Sequence, residues 1–204
     1  MLFKDRVDAG KKLAKILYKK NLKNAVVVSL LRGGIIVGQE IAKKLKGNHF
    51  PLAVAKIPAP QQSELAIGAL CFDLTYLESR IVSSLNIDKP TIKKQISIAK
   101  VKFRSYLERF NLKKSAYKKI KNKTVVLVDD GIATGSTVKA ALLFTKSLKP
   151  KKTILASPVA PAEFINPGFD QLIILHYDPT FSSVSQFYKS FPQVEDEEIK
   201  RLLY

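Results

Sequence analysis

With 204 residues, 46% of them hydrophobic and 25% charged, and a formal net charge of +18, the sequence has the apolar material of one compact core and lies far from disordered or fibrous composition. No apolar run approaches the roughly 18 residues of a membrane span, and the start reaches Lys4, Asp5 and Arg6 before any signal-type apolar region, so a cytoplasmic single domain over residues 1–204 is expected. One cysteine, Cys71, with two distant histidines, His49 and His176, excludes a disulfide scaffold and a zinc module.

In chain order, Leu13, Ile16 and Leu17 sit at amphipathic helical spacing. Residues 25–30 form a β-branched apolar run; Leu31-Arg32-Gly33-Gly34 then turns, and Ile35, Ile36, Ile41, Ala42 and Leu45 give a helical pattern. A second strand is expected at 52–57, leading into a Pro- and Gln-rich loop at 58–63 that is placed to act as a lid. Residues 66–77 read as a hairpin or irregular strand. From 91 to about 118, Ile92, Ile96, Ala99, Phe103, Leu107 and Phe110 step by three or four, which predicts one long helix with a basic outer face. A buried strand at 124–128 is followed by a Gly- and hydroxyl-rich turn and a helix running to Pro150, and further strands are expected at 153–156 and 172–176. Apolar strands alternating with helices predict an α/β fold with a mostly parallel sheet covered on both faces, whose ligands bind beyond the carboxyl ends of the strands.

The charge is unevenly divided. Residues 1–124 hold 27 Lys and Arg against 8 Asp and Glu, and residues 125–204 hold 8 against 9. Such an excess attracts nucleic acid or small polyanions, but Lys outnumbers Arg 29 to 6, and Lys-rich helix faces are also ordinary solvated surface.

Residues 124–137 carry the chemistry. Asp129 and Asp130 end an apolar strand, and Ala133-Thr134-Gly135-Ser136-Thr137 opens a helix. Free backbone N–H groups and three hydroxyls at the positive end of a helix dipole suit a phosphate, and Gly135 lets the backbone approach it. Two carboxylates one strand end away suit a ribose diol or a metal ion carried by the ligand. Either half alone is common as a helix cap or a solvated pair; together they fit a sugar phosphate. The pattern is neither a Walker A loop nor a dinucleotide fingerprint.

The stretch Val-Val-Leu-Val-Asp-Asp-Gly-Ile-Ala-Thr-Gly-Ser-Thr at 125–137 resembles the phosphoribosyl diphosphate (PRPP) motif of type I phosphoribosyltransferases. Residues 3–10, 31–34 and 64–69, with Gln186, Phe187, Tyr188, Gln193 and Val194, are similar to an uncharacterised phosphoribosyltransferase-like family of bacteria and archaea. The resemblance implies a sheet of about five mostly parallel strands flanked by helices over a core of about 1–176, a mobile loop over the site, and a small C-terminal hood at about 177–204. It implies that Asp129 and Asp130 hold the ribose hydroxyls of PRPP and that residues 133–137 hold its 5′-phosphate. By the same resemblance Leu31, Arg32 and Gly33 form a diphosphate loop, Arg32 neutralises the departing diphosphate, and Lys56 is a second cation at that end. Arg32, Lys56, Asp129 and Asp130 are thus the catalytic candidates. The implied reaction is Mg2+-dependent transfer of phosphoribosyl to a nitrogenous, nucleobase-like acceptor, with a homodimer as a common assembly. The alternative is a non-catalytic regulator of this fold that senses PRPP or a nucleotide and binds nucleic acid. Two departures stand out: Ala55-Lys56 replaces an expected Arg-Lys pair, and Ala133 stands where hypoxanthine-guanine enzymes carry Asp, which argues against a 6-oxopurine acceptor. Phe181, Phe187 and Tyr188 are placed either to stack on a planar base or to form local core.

Overall fold

The computed structural model describes residues 2–63 and 65–203. Its centre is a five-stranded parallel sheet in the order β2-β1-β6-β7-β8, built from β1 (Val26–Leu30), β2 (His49–Leu52), β6 (Thr124–Val128), β7 (Lys152–Pro161) and β8 (Gln171–Asp178). The strands alternate their side chains between two apolar layers, which is why β1 is buried at every position. On one face Val27, Val126, Val128 and Ile154 meet Leu13 and Leu17 of α1 (Arg6–Lys19) and Val37 and Ile41 of α2 (Gly34–Leu45). On the other, Val26, Val28, Leu127 and Leu155 meet Val138 and Phe144 of α5 (Ser136–Ser147) and Tyr117 of a 3-10 helix, Lys114–Ile120. Phe144 is 1% exposed, and truncating such a side chain costs about 3–5 kcal/mol.

The strand expected at 52–57 is two strands. Its first part belongs to β2; after Ala53 and Val54 the chain leaves the parallel sheet as β3 (Ala55–Pro58) and pairs antiparallel with β4 (Ala66–Cys71). The hairpin expected at 66–77 is present, with β4 turning at Phe72 into β5 (Leu74–Leu77) to complete a separate three-stranded sheet, β3-β4-β5. Glu64, quoted in the 64–69 resemblance, lies outside the described residues. A short helix, α3 (Ser79–Ser84), follows; it buries none of its residues and so leaves no apolar period in the sequence.

The long helix is shorter than the apolar period suggested. α4 (Lys89–Arg109) starts where Asp88 accepts the Thr91 N–H and Pro90 occupies the first turn, and it stops because Asn111 takes a left-handed conformation (φ 47°). Ala99 and Phe103 pack α4 on Ile57, Ile67 and Leu70 of the small sheet. The 3-10 helix then continues the apolar pattern with Tyr117 and Ile120, on a different part of the core.

The C-terminal segment is tied to the N-terminal one. Phe3 bridges to Tyr188, the Lys189 N–H donates to Phe3 O at 2.9 Å, and Phe187 and Tyr188 are 4% and 2% exposed beside Val159. Phe187 and Tyr188 are therefore local core, with Phe181 stacked on Phe187 at 5.4 Å. The last helix, α6 (Asp196–Leu203), lies beyond them. Among the described residues no helix is long and apolar enough to cross a membrane.

Candidate active site

The register of the sheet places two loops side by side. Ser29 of β1 is paired with Val128 of β6, so residues 31–33 and 129–135 emerge from adjacent strand ends at the carboxyl edge, and β3 passes beside them. They enclose a cavity of about 220 Å³. Leu31, Arg32, Gly33, Lys56, Asp129, Asp130, Ala133, Thr134, Gly135 and Thr137 all line it, with Val184 from the C-terminal segment. Gly135, at φ +77°, is the residue that turns the chain into α5, a conformation costly for any other residue type. Ser136, expected with them, does not line the cavity: it is fully buried and its hydroxyl donates to Glu78 Oε1 at 2.9 Å.

The carboxylates are held differently. Asp130 Oδ2 accepts from Arg6 Nε at 2.7 Å, and its carbonyl accepts from the Tyr188 hydroxyl at 2.6 Å. Asp129 Oδ1 accepts the Asp130 N–H at 3.0 Å. Desolvation at the cavity floor, and then the negative Asp130 beside it, push the Asp129 carboxyl well above the usual carboxylate range; Lys56 opposes this. Gly33 is required by close approach, since a Cβ there would stand 1.7 Å from Asp130 Oδ2. The Leu31–Arg32 peptide bond is cis.

A family model for the phosphoribosyl transferase domain matches residues 3–164. The chain belongs to this family. It is 34% identical, over 99% of its length, to two Mycobacterium tuberculosis proteins provisionally named phosphoribosyl transferases, and covers 46% of each. The chain thus spans about half the length of the curated relatives it matches. Among solved structures it is similar to a Thermus thermophilus protein, with TM-score 0.75, 29% identity and coverage of 100% of this chain and 98% of that one. A Neisseria gonorrhoeae hypothetical protein solved with bound ppGpp shares the fold at TM-score 0.54 and 11% identity, covering 99% of this chain and 97% of that one.

Three residues that do not line the cavity hold those that do, or their neighbours, without having been singled out for it. Arg6 is 7% exposed; besides Asp130 it donates to the Pro192 carbonyl at 2.7 Å, and its guanidinium lies 3.6 Å from the centre of the Phe191 ring. The sequence signal was present, since Arg6 falls in the 3–10 stretch, but nothing local announces a partner 124 residues away. Glu78 accepts from Ser136, from Lys139 Nζ at 2.8 Å and from the Tyr76 hydroxyl at 3.0 Å. Burial disfavours its ionised form, but the bonds from Lys139, Ser136 and Tyr76 outweigh it and hold the Glu78 carboxyl below its usual range. Asp196 of α6 pairs with Arg32 Nη1 at 2.6 Å and with Arg109 Nη1 at 2.9 Å, while Arg32 also donates to the Val194 carbonyl at 3.0 Å. Arg32 lines the cavity, but its charge already has a partner.

The loop at 58–63 mostly turns away from this cavity. Ala59, Pro60, Gln61 and Gln62 border a separate hollow against Leu85, Ile87 and Thr91. The basic residues belong to separately packed elements: Lys11, Lys15, Lys43 and Lys44 line a groove between α1 and α2, the lysines of the 3-10 helix lie on an element packed on the other face of the parallel sheet, and those of α4 on a helix packed on the small sheet.

Proposed function

We propose that this domain transfers a phosphoribosyl group from PRPP to a nitrogenous acceptor with release of diphosphate. The observation that carries the reading is the convergence of Asp129, Asp130 and the 133–137 turn with Arg32 and Lys56 on one cavity. In this reading, backbone N–H groups of residues 133–137 and the hydroxyls of Thr134 and Thr137 take the 5′-phosphate at the start of α5. Asp129, and the oxygen of Asp130 not engaged by Arg6, accept from the ribose hydroxyls and face positive charge as it grows on the sugar ring. Lys56 and Arg32 meet the negative charge that gathers on the leaving diphosphate. The apolar walls, Leu30, Leu31, Val54 and Val184, keep water from a reactive sugar.

Among the described residues no three His, Cys, Asp or Glu converge on a metal site. That donor set suits Mg2+, which keeps waters and substrate oxygens around it and needs only one or two protein carboxylates, here Asp129 and Asp130. When bound, Mg2+ supplies charge neutralisation to the diphosphate. Ala133 offers no proton to a purine ring nitrogen, which favours an acceptor other than a 6-oxopurine.

Titration calorimetry with PRPP and Mg2+ tests binding, and a panel of nucleobases and related heterocycles, followed by diphosphate release, tests turnover. Binding that disappears in the Asp129→Asn, Asp130→Asn double variant supports the assignment. Wild-type protein that binds no PRPP refutes it. A basic excess divided among α1, α2, α4 and the 3-10 helix, none of which lies at the cavity floor, does not favour the nucleic-acid-binding regulator.

A further inference from the structure

We infer that Arg109, at the end of α4, is a positioning residue that acts through Asp196 to keep Arg32 available to a ligand in the cavity. The inference rests on the reading of that cavity as a PRPP site. Arg109 does not line it. The two arginines meet opposite oxygens of one carboxylate: Arg32 Nη1 stands 2.6 Å from Asp196 Oδ1, and Arg109 Nη1 stands 2.9 Å from Oδ2. Only the second contact is a hydrogen bond. Arg109 donates to Oδ2, and also to Ser105 Oγ at 3.2 Å. The hydrogen bond from Arg32 Nη1 goes instead to the Val194 carbonyl at 3.0 Å, and Asp196 Oδ1, though buried, accepts none among the described residues.

Asp196 is therefore hydrogen-bonded to Arg109 and only charge-paired with Arg32. A carboxylate with Arg32 as its sole cation would compete with an incoming anion for the guanidinium, and would be left uncompensated once Arg32 turned away. Arg109 relieves both effects. Two guanidinium groups on one carboxylate leave a net positive charge, and Asp196 keeps its hydrogen-bonded partner when Arg32 engages a ligand. Burial disfavours the ionised form of Asp196, but Arg32 and Arg109 outweigh it and hold the carboxyl below its usual range. The seat of α6 does not hang on these charges alone, since Ile199 packs with Val194, Ile35 and Phe110.

The test is calorimetric titration of inorganic diphosphate, with Mg2+ present, into wild type, Arg109→Gln, Asp196→Asn and the double variant. Arg104→Gln controls for general charge, because Arg104 is exposed on the same helix and does not line the cavity. Arg109→Gln is expected to weaken diphosphate binding by about three- to fivefold, as Asp196 turns its whole charge on Arg32, and Arg104→Gln by less than about 1.5-fold. Asp196→Asn and the double variant should bind diphosphate at least as tightly as wild type, a rescue that a merely structural role of Arg109 would not give. Ribose 5-phosphate, which does not call on Arg32, should bind every variant alike. A double variant no better than Arg109→Gln, an Asp196→Asn as weak as Arg109→Gln, an equal loss in Arg104→Gln, or a parallel loss of ribose 5-phosphate in Arg109→Gln overturns the proposal. So does a wild type that binds ribose 5-phosphate but not diphosphate. A wild type that binds no ribose 5-phosphate counts against the PRPP reading itself, whatever Arg109 does.

Discussion

Arg6 and Asp130 are joined by a 2.7 Å ion pair with side chains only 8% and 14% exposed, so the first turn of α1 fixes a carboxylate of the candidate site. Removing one partner of a buried pair leaves the other uncompensated. Arg6→Met is expected to cost about 3–5 kcal/mol in urea unfolding, and adding Asp130→Asn should return part of that loss. Additive single losses in that cycle would mean the pair is not coupled. Gly33→Ala should act on the same contact from the other side, displacing Asp130 and weakening ribose 5-phosphate binding by roughly tenfold.

Asp129 trades stability for binding. Its carboxyl is raised by desolvation and by Asp130, so between the unfolded value and the raised folded value the native state holds the extra proton. Stability therefore falls as pH rises through that window. Asp129→Asn should remove this slope and stabilise the fold at neutral pH, while weakening PRPP binding by roughly a hundredfold. Urea titrations at several pH values, paired with calorimetry, check both halves.

Glu78 links the small sheet to the start of α5 through Ser136 and Lys139. Glu78→Gln should weaken ribose 5-phosphate binding by about tenfold, as the phosphate turn loses its anchor, and Glu78→Asp should restore part of it. The depressed Glu78 carboxyl contributes stability that is present above its ordinary unfolded value and lost as pH falls through the lower folded one. An unaltered KM for PRPP in Glu78→Gln would show that the anchor is dispensable.

His49 supplies a second pH dependence. Its ring bonds Ser29 Oγ at 2.7 Å and Gln39 Oε1 at 3.0 Å, and burial lowers its pKa from 6.5 to about 4. In that window the unfolded chain takes up a proton and the folded one does not, so stability drops as pH falls from 6.5 to about 4, by about 3 kcal/mol in all. His49→Asn should flatten this part of the stability curve without touching PRPP binding.

The parallel core was legible because strands buried on both faces are nearly apolar throughout, as residues 26–30 and 124–128 are but for Ser29 and Thr124. The strand-turn-helix at 124–147 was legible because its signals are local, with carboxylates, glycine and hydroxyls packed into nine residues after β6. The break between β2 and β3 was not, since Ala53 and Val54 are fully or nearly buried and leave the apolar run unbroken where the chain changes sheets. Nor was the end of α4: apolar spacing continues through Phe110, and only the left-handed Asn111 interrupts it. Arg6, Glu78 and Asp196 escaped because their partners are set by tertiary packing, 124, 58 and 164 residues away in sequence. Ser136 was legible by type but not by partner: its hydroxyl is committed to Glu78, just beyond the small sheet.

The carbonyls of Pro192 and Val194, two residues apart, receive Arg6 and Arg32 respectively. That short stretch of backbone therefore acts as a gauge, setting how far the guanidinium beside Asp130 stands from the one at the loop beyond β1. Each added or deleted residue there would shift one arginine against the other by up to roughly 3.5 Å, more than a hydrogen bond tolerates. Chain length between 192 and 194 is thus held more tightly than the identity of Gln193, whose side chain neither arginine uses.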